Sequence, residues 1–67
     1  MMRDRHLLQE FLVEMYKRDK EVKLIIKNGY QMTGRIVAWD DELIIVAEAH
    51  RREYVFLSAI STIEECS

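Results

Sequence analysis

The sequence predicts a small, mainly β fold, in which one N-terminal α-helix precedes a strongly bent five-stranded antiparallel sheet that forms a small open barrel. Three observations lead to this prediction. Apolar residues repeat every three or four positions near the N-terminus, the repeat changes to every second position from Glu21 onward, and Asn28-Gly29 separates two alternating runs. All 67 residues are predicted to form one domain, residues 1–67.

The helix is predicted from a single apolar stripe. Its members are spaced for one face of about three turns: Leu7, Leu8, Phe11, Leu12 and Met15. Basic residues follow at the end of this segment, where cations favour the negative end of the helix dipole. The stripe therefore predicts a helix that packs one face against the sheet.

The first two strands are predicted to meet at Asn28-Gly29, because Asn-Gly is typical of a two-residue hairpin turn with positive φ at both positions. This turn would place Lys27 opposite Tyr30 and Ile25 opposite Met32. Ile25, Tyr30 and Met32 would then share one face. The other face would carry core residues: Val22, Leu24 and Ile26.

The remaining strands follow from Gly34 and the later apolar runs. A glycine inside a strand marks a bend or a close backbone approach, so the second strand is predicted to curve at Gly34 and continue to Trp39. Residues 43–47, 54–57 and 60–63 are predicted to be strands, and residues 48–53 a polar loop. The strand at 54–57 would be an exposed edge, which invites pairing with an identical chain in a ring.

Composition limits the function classes. A chain this short is marginal alone, and a lone cysteine, Cys66, excludes an internal disulfide, so oligomerisation is the expected support. No signal peptide, membrane span, metal-ligand spacing or nucleophile–base pair is recognised. We therefore expect a cytoplasmic non-enzyme without a metal, a cofactor, catalytic residues or a membrane partner. The net charge of −2 argues against binding nucleic acid by bulk attraction.

Several separated segments resemble a known family. Residues 34–40 (GRIVAWD) followed by 43–46 (LIIV) resemble the first motif of Sm and Sm-like proteins. Residues 8–9 (LQ), 11–12 (FL), 28–34 (NGYQMTG) and 59–62 (AIST) are similar to bacterial Hfq, and the likeness runs from about residue 7 to 63. The resemblance implies an Sm-like fold and a homohexameric ring. Such a ring would bind RNA, pair small regulatory RNAs with messages, and catalyse no reaction.

The resemblance also implies a site for A-rich RNA on one face of the ring, the distal face. The matching positions surround the first hairpin: Ile25, Asn28, Gly29, Tyr30, Gln31, Met32, Thr33 and Thr62. Tyr30 offers a ring on which a base can stack, and Lys23 and Lys27 are candidates for phosphate contacts. Ile25 departs from the family, which usually has an aromatic residue there. The alternative is that Ile25, Tyr30 and Met32 only pack against a neighbouring subunit.

On the opposite, proximal face the family motif for uridine has diverged. Leu57 and Ser58 replace a Lys-His pair, and Glu42 replaces an aromatic residue, so that only Gln9 and Phe56 keep the pattern. Losing a cation and adding a carboxylate opposes the binding of a phosphate chain. We therefore expect uridine-rich RNA to bind poorly or not at all.

At the outer rim, Lys17 and Arg18 match basic residues with which the family helps RNAs anneal. An ordinary solvated helix end with dipole compensation explains them equally well. For the whole chain, the alternative to an RNA-binding ring is an Sm-like ring that acts as a protein-interaction scaffold with little RNA binding.

Overall fold

The computed structural model describes residues 4–66, with side chains from His6 onward. A single helix precedes five antiparallel strands, as the sequence predicted. The elements are α1 (Asp4–Lys17), β1 (Glu21–Ile26), β2 (Gln31–Trp39), β3 (Leu43–Glu48), β4 (Arg51–Phe56), a 3-10 turn (Leu57–Ala59) and β5 (Ile60–Glu65). The strands lie in the order β4-β3-β2-β1-β5, and the sheet does not close, so β4 and β5 are its two edges. Between residues 4 and 66, no helix is long and apolar enough to cross a membrane.

The helix packs its apolar stripe on the sheet. Leu12 and Met15 are buried, and Leu8 and Phe11 pack against the same core, whereas Leu7 is 70% exposed. The sheet side of this core consists of alternate residues from four strands: Val22, Leu24, Ile36, Ile44, Val46 and Val55. One helix face and one sheet face therefore enclose a single core, which explains why the sequence changes period after the helix.

A left-handed turn at Asp19 (φ 53°) ends the helix and fixes where β1 begins. The N–H of Lys20 donates to the carbonyl of Met15 (3.0 Å), and that of Asp19 to the carbonyl of Tyr16 (3.2 Å). This pattern satisfies the last helical carbonyls. The Nε of Arg35 donates to the carbonyl oxygen of Asp19 (3.1 Å), so the turn is also tied to β2.

The first hairpin differs from the prediction, because its loop has three residues, 27–29. Ile26 donates its N–H to the carbonyl of Tyr30, and Gly29 donates to the carbonyl of Ile26, both at 2.8 Å. Gly29 has positive φ (96°), whereas Asn28 does not. The Asn28 side chain instead accepts a hydrogen bond from the N–H of Tyr30 (2.9 Å). The predicted two-residue turn was therefore wrong, and a turn with a glycine bulge takes its place.

This extra loop residue shifts the strand register by one. Ile25 lies opposite Gln31, and Leu24 lies opposite Met32. Because partners across antiparallel strands share a face, Met32 is on the core side with Leu24, and Ile25 is on the outer side. The prediction that Ile25, Tyr30 and Met32 share one face was therefore wrong. A one-residue slip exchanges the faces of a whole strand.

Gly34 lies where two backbones come unusually close. A Cβ built at this position would be 2.7 Å from the carbonyl oxygen of Ala47, so any other side chain would collide with the backbone of β3. The β2–β3 register then shifts between Ile36 and Ala38, as expected for a bulge that bends a strand. Both features confirm that β2 is long and curved.

The connection between β3 and β4 is shorter than predicted. Residues 48–53 were expected to form a polar loop, but Glu48 pairs with Arg51 across the Ala49–His50 turn. Arg51 and Arg52 therefore belong to β4. An edge strand tolerates such charges because its outer face is in water. The polar composition of residues 48–53 therefore did not distinguish an edge strand from a loop.

Candidate nucleic-acid interface

A surface pocket lies beside the first hairpin, at the start of β2. Strand β3 pairs with β2 only from Arg35 onward, which leaves a notch next to the preceding residues of β2. The resulting cavity of about 390 Å³, here called the hairpin pocket, is lined by Lys23, Tyr30, Gln31, Met32, Thr33 and Glu48. Its volume lies in the range of about 300–1,000 Å³ that is usual for small-ligand sites. The pocket is therefore large enough for a flat organic group such as a nucleic-acid base.

Tyr30 presents a free aromatic ring to this pocket on a fixed backbone. Its N–H and carbonyl are both used in the hairpin loop, by Asn28 and Ile26 respectively. The residue is nevertheless 57% exposed. An exposed ring on an ordered backbone is suited to stacking against a base, because little freedom is lost when the ligand binds.

A row of side chains on the outer face of the sheet continues from the hairpin pocket. Ile25 lies between Gln31 on β2 and Thr62 on β5. In the next row, Lys23 lies between Thr33 and Glu64. Sheet register therefore brings together residues that are far apart in the sequence. They form an apolar patch at Ile25 between two polar side chains that can donate or accept hydrogen bonds.

A second pocket, here called the acidic pocket, lies at the junction of β4 and the 3-10 turn. It has a volume of about 350 Å³ and is lined by Asp41, Glu42, Phe56, Leu57 and Ser58. The N–H of Leu57 donates to the carbonyl of Glu42 (2.8 Å), which holds the two segments together. The three positions that depart from the proximal-face motif, Glu42, Leu57 and Ser58, are thus neighbours in space. The pocket combines an exposed aromatic ring with two carboxylates.

The turn that carries Glu42 is organised by Asp40. Its carboxylate accepts hydrogen bonds from the N–H groups of Glu42 (2.8 Å) and Leu43 (3.0 Å). These two bonds lower the pKa of Asp40 below its ordinary value because they favour the charged form, and the bond from Glu42 has the larger effect. Asp40 is therefore a structural residue of the turn.

Comparison with known proteins identifies the family. A family model described as Hfq protein matches residues 7–66. The chain belongs to the Hfq family. The protein named RNA-binding protein Hfq from Shouchella clausii (strain KSM-K16) is 30% identical over 57 residues, covering 85% of this chain and 74% of that protein.

Solved Hfq structures share the fold. A crystal structure of Hfq described as a pleiotropic translational regulator has a TM-score of 0.85 and 23% identity, covering 97% of this chain and 98% of that chain. An Hfq protein from Anabaena sp. has a TM-score of 0.83 and 20% identity, covering 90% and 97%. These similarities confirm the Sm-like fold that the sequence predicted.

The structure groups most of the distal-face residues that the resemblance to Hfq had indicated. Tyr30, Gln31, Met32 and Thr33 line the hairpin pocket. Ile25 and Thr62 lie in the adjoining outer row, and Asn28 and Gly29 form the loop that positions Tyr30. The corrected register changes only how they are arranged, since Ile25 reaches the site from the outer face and Met32 from the core side.

Sequence reasoning missed Glu48 as a member of the site. It was assigned to the polar loop, whereas it is the last residue of β3 and lines the hairpin pocket. The hydroxyl of Thr33 donates to its Oε2 at 3.4 Å. The only feature of the sequence that could have indicated Glu48 is its position directly after the apolar run of β3, which could extend by one residue towards the first hairpin.

The other residues indicated by the Hfq resemblance lie elsewhere. Gln9 accepts a hydrogen bond from the indole N–H of Trp39 (2.8 Å), and Phe56 lies in the acidic pocket. Lys17 and Arg18 are exposed at the end of the helix, where Arg18 is paired with Glu14 (2.8 Å). Glu14 therefore offsets part of the positive charge at this end of the helix.

Proposed function

We propose that this chain is an RNA-binding protein that assembles into a homohexameric ring and binds A- or purine-rich single-stranded RNA on its distal face. In this proposal it acts in the cytoplasm as an RNA chaperone in post-transcriptional regulation, and it catalyses no reaction. The observation that carries the proposal is the exposed ring of Tyr30 in a pocket lined by hydrogen-bonding side chains. Membership of the Hfq family supports the same conclusion.

Base binding in the hairpin pocket would combine three kinds of contact. The ring of Tyr30 would stack on a base, and Met32 would cover part of its edge with apolar surface. Gln31 and Thr33 in the pocket, and Thr62 in the adjoining outer row, would form hydrogen bonds with base or sugar groups. Because these contacts are local and the chain carries a net charge of −2, binding should depend less on salt than it does in a strongly basic protein.

Ring formation is supported by the two open edges of the sheet. β4 and β5 lie at opposite ends of the strand order, so head-to-tail pairing of β4 with β5 of a neighbour would use both. Tyr54 and Phe56 on β4 are 60% and 59% exposed. Large apolar side chains on an edge strand are usually covered by a partner. A ring would also supply the burial that so small a chain lacks.

The proposal predicts opposite results for two RNAs of equal length. Fluorescence anisotropy at physiological salt should give submicromolar affinity for oligo-A and no saturable binding of oligo-U. The acidic pocket explains the second result, because Glu42 and Asp41 oppose a phosphate chain and no Lys-His pair is present at positions 57 and 58. Submicromolar affinity for oligo-U would contradict the proposed loss of the proximal site.

The second candidate function is a ring that acts as a protein-interaction scaffold. The acidic pocket favours it, since an exposed Phe56 and a half-buried Leu57 beside two carboxylates suit a peptide better than an RNA. The same titration separates the two functions. If neither oligo-A, oligo-U nor a mixed RNA binds, the scaffold becomes the better account.

A further inference from the structure

Glu48 is the one acidic residue that lines the hairpin pocket. Among the described residues, its carboxylate forms no ion pair. It lies opposite Arg51 in the β3–β4 register, yet the guanidinium of Arg51 forms its ion pair with Glu53. Among the described residues, the hydrogen-bond partner of the Glu48 side chain is the Thr33 hydroxyl, at a long 3.4 Å. Its carboxylate therefore keeps most of its hydrogen-bonding capacity for a ligand, because an ionised carboxylate has about four acceptor sites.

We infer that the hairpin pocket selects guanine over adenine, with Glu48 as the residue that determines the specificity. This inference rests on the proposed function and names the base that the pocket prefers. Unstacked bases in single-stranded RNA are read by hydrogen bonds along their Watson–Crick edges. Guanine presents two adjacent donors on that edge, the N1–H and the N2 amino group. The two oxygens of one carboxylate can accept both.

Adenine fits the same carboxylate poorly. Its Watson–Crick edge presents one donor, the N6 amino group, beside an acceptor, N1. One oxygen of Glu48 could accept from the amino group, but the other would face the lone pair of N1. Bidentate pairs of this kind typically give discrimination on the order of tenfold to a hundredfold between bases. Because Glu48 is exposed, we expect a value near the lower end.

Lys23 strengthens the match to guanine and excludes a different kind of ligand. It lines the same pocket, and its ammonium group can donate to O6 of guanine, whereas it would repel the N6 amino group that adenine carries at the same position. A cationic side chain of a protein partner would also suit a carboxylate and a tyrosine ring. The positive charge of Lys23 in the same cavity opposes such a guest.

The test uses short RNAs that differ in one base. An oligo-A with a single central guanine should bind about tenfold more tightly than the all-adenine RNA, and an RNA with inosine at that position, which lacks the N2 amino group, should fall between them. A single guanine avoids the self-association of guanine runs. Glu48→Gln should reduce the preference to less than about twofold, because an amide offers one donor and one acceptor and so matches adenine.

The matched control is Glu64→Gln, which makes the same charge change next to Lys23 but outside the pocket. It should change the affinity for all three RNAs by one common factor and leave their ratio unchanged. Equal binding of the guanine and adenine RNAs by the native chain, or an unchanged ratio in Glu48→Gln, would overturn the inference while leaving RNA binding intact. Absence of binding to every RNA would overturn both the inference and the proposed function.

Discussion

Replacing Tyr30 with alanine should weaken the binding of oligo-A RNA by about five- to 100-fold. Stacking of a base on an aromatic side chain contributes about 1–3 kcal/mol, and 1.4 kcal/mol corresponds to a factor of ten in affinity. No second ring can compensate, since Tyr30 is the only aromatic residue among the described residues that line the hairpin pocket. The loss should appear in anisotropy titrations at fixed salt.

The control for this variant is Tyr30→Phe, which keeps the ring and removes only the hydroxyl. It should bind oligo-A within about threefold of the native chain if stacking is the main contribution. Because Tyr30 is exposed and its backbone forms the loop bonds, both variants should keep the native free energy of unfolding within about 0.5 kcal/mol. Native affinity in Tyr30→Ala would show that the ring does not contact RNA.

Replacing Gly34 with valine should lower the free energy of unfolding by about 1–3 kcal/mol, the usual cost of forcing extra atoms into a packed position. Strand propensity alone predicts the opposite, because valine is favoured and glycine disfavoured inside strands. The close approach of the β2 and β3 backbones outweighs this propensity, so the change in the free energy of unfolding is negative. A Cβ at position 34 would be 2.7 Å from the carbonyl oxygen of Ala47, and the backbone of a paired strand cannot move aside cheaply.

The comparison variant is Ala38→Val, at an exposed position later in the same strand. Because this position is exposed, the added methyl groups can extend into solvent, so the free energy of unfolding should stay the same or rise slightly. Denaturant unfolding of both variants at one protein concentration measures the difference, since the stability of an oligomer depends on concentration. If Gly34→Val were as stable as Ala38→Val, the backbone contact would not constrain this position.

Sequence periodicity was sufficient for the elements of the fold but not for the register of the first hairpin. The stripe of Leu8, Phe11, Leu12 and Met15 determined the helix, since a three-to-four-residue repeat has one structural solution. Asn-Gly, in contrast, is compatible with a two-residue turn and with a three-residue loop. The choice depends on whether Asn28 adopts positive φ or bonds through its side chain to Tyr30, which neighbouring residues do not determine.

For the candidate site too, the sequence indicated some of the residues and not others. Residues near one another in the sequence, such as Tyr30, Gln31 and Thr33, could be grouped in advance by resemblance to Hfq. Glu48 could not, because its place depends on where β3 ends relative to the hairpin. Charge at residues 48–53 suggested a loop, although an edge strand accepts charged residues just as readily. Long-range pairing, rather than local propensity, therefore set the chemistry of the pocket.

The most direct test of the account is a methyl NMR titration of the assembled protein with oligo-A RNA. Bases stacked on Tyr30 would change the magnetic environment of nearby methyl groups, so those of Ile25 and Met32 should shift as RNA is added. The methyl groups of Leu57 in the acidic pocket should not. Shifts at Leu57 with none at Ile25 and Met32 would contradict the claim that RNA binds on the hairpin side.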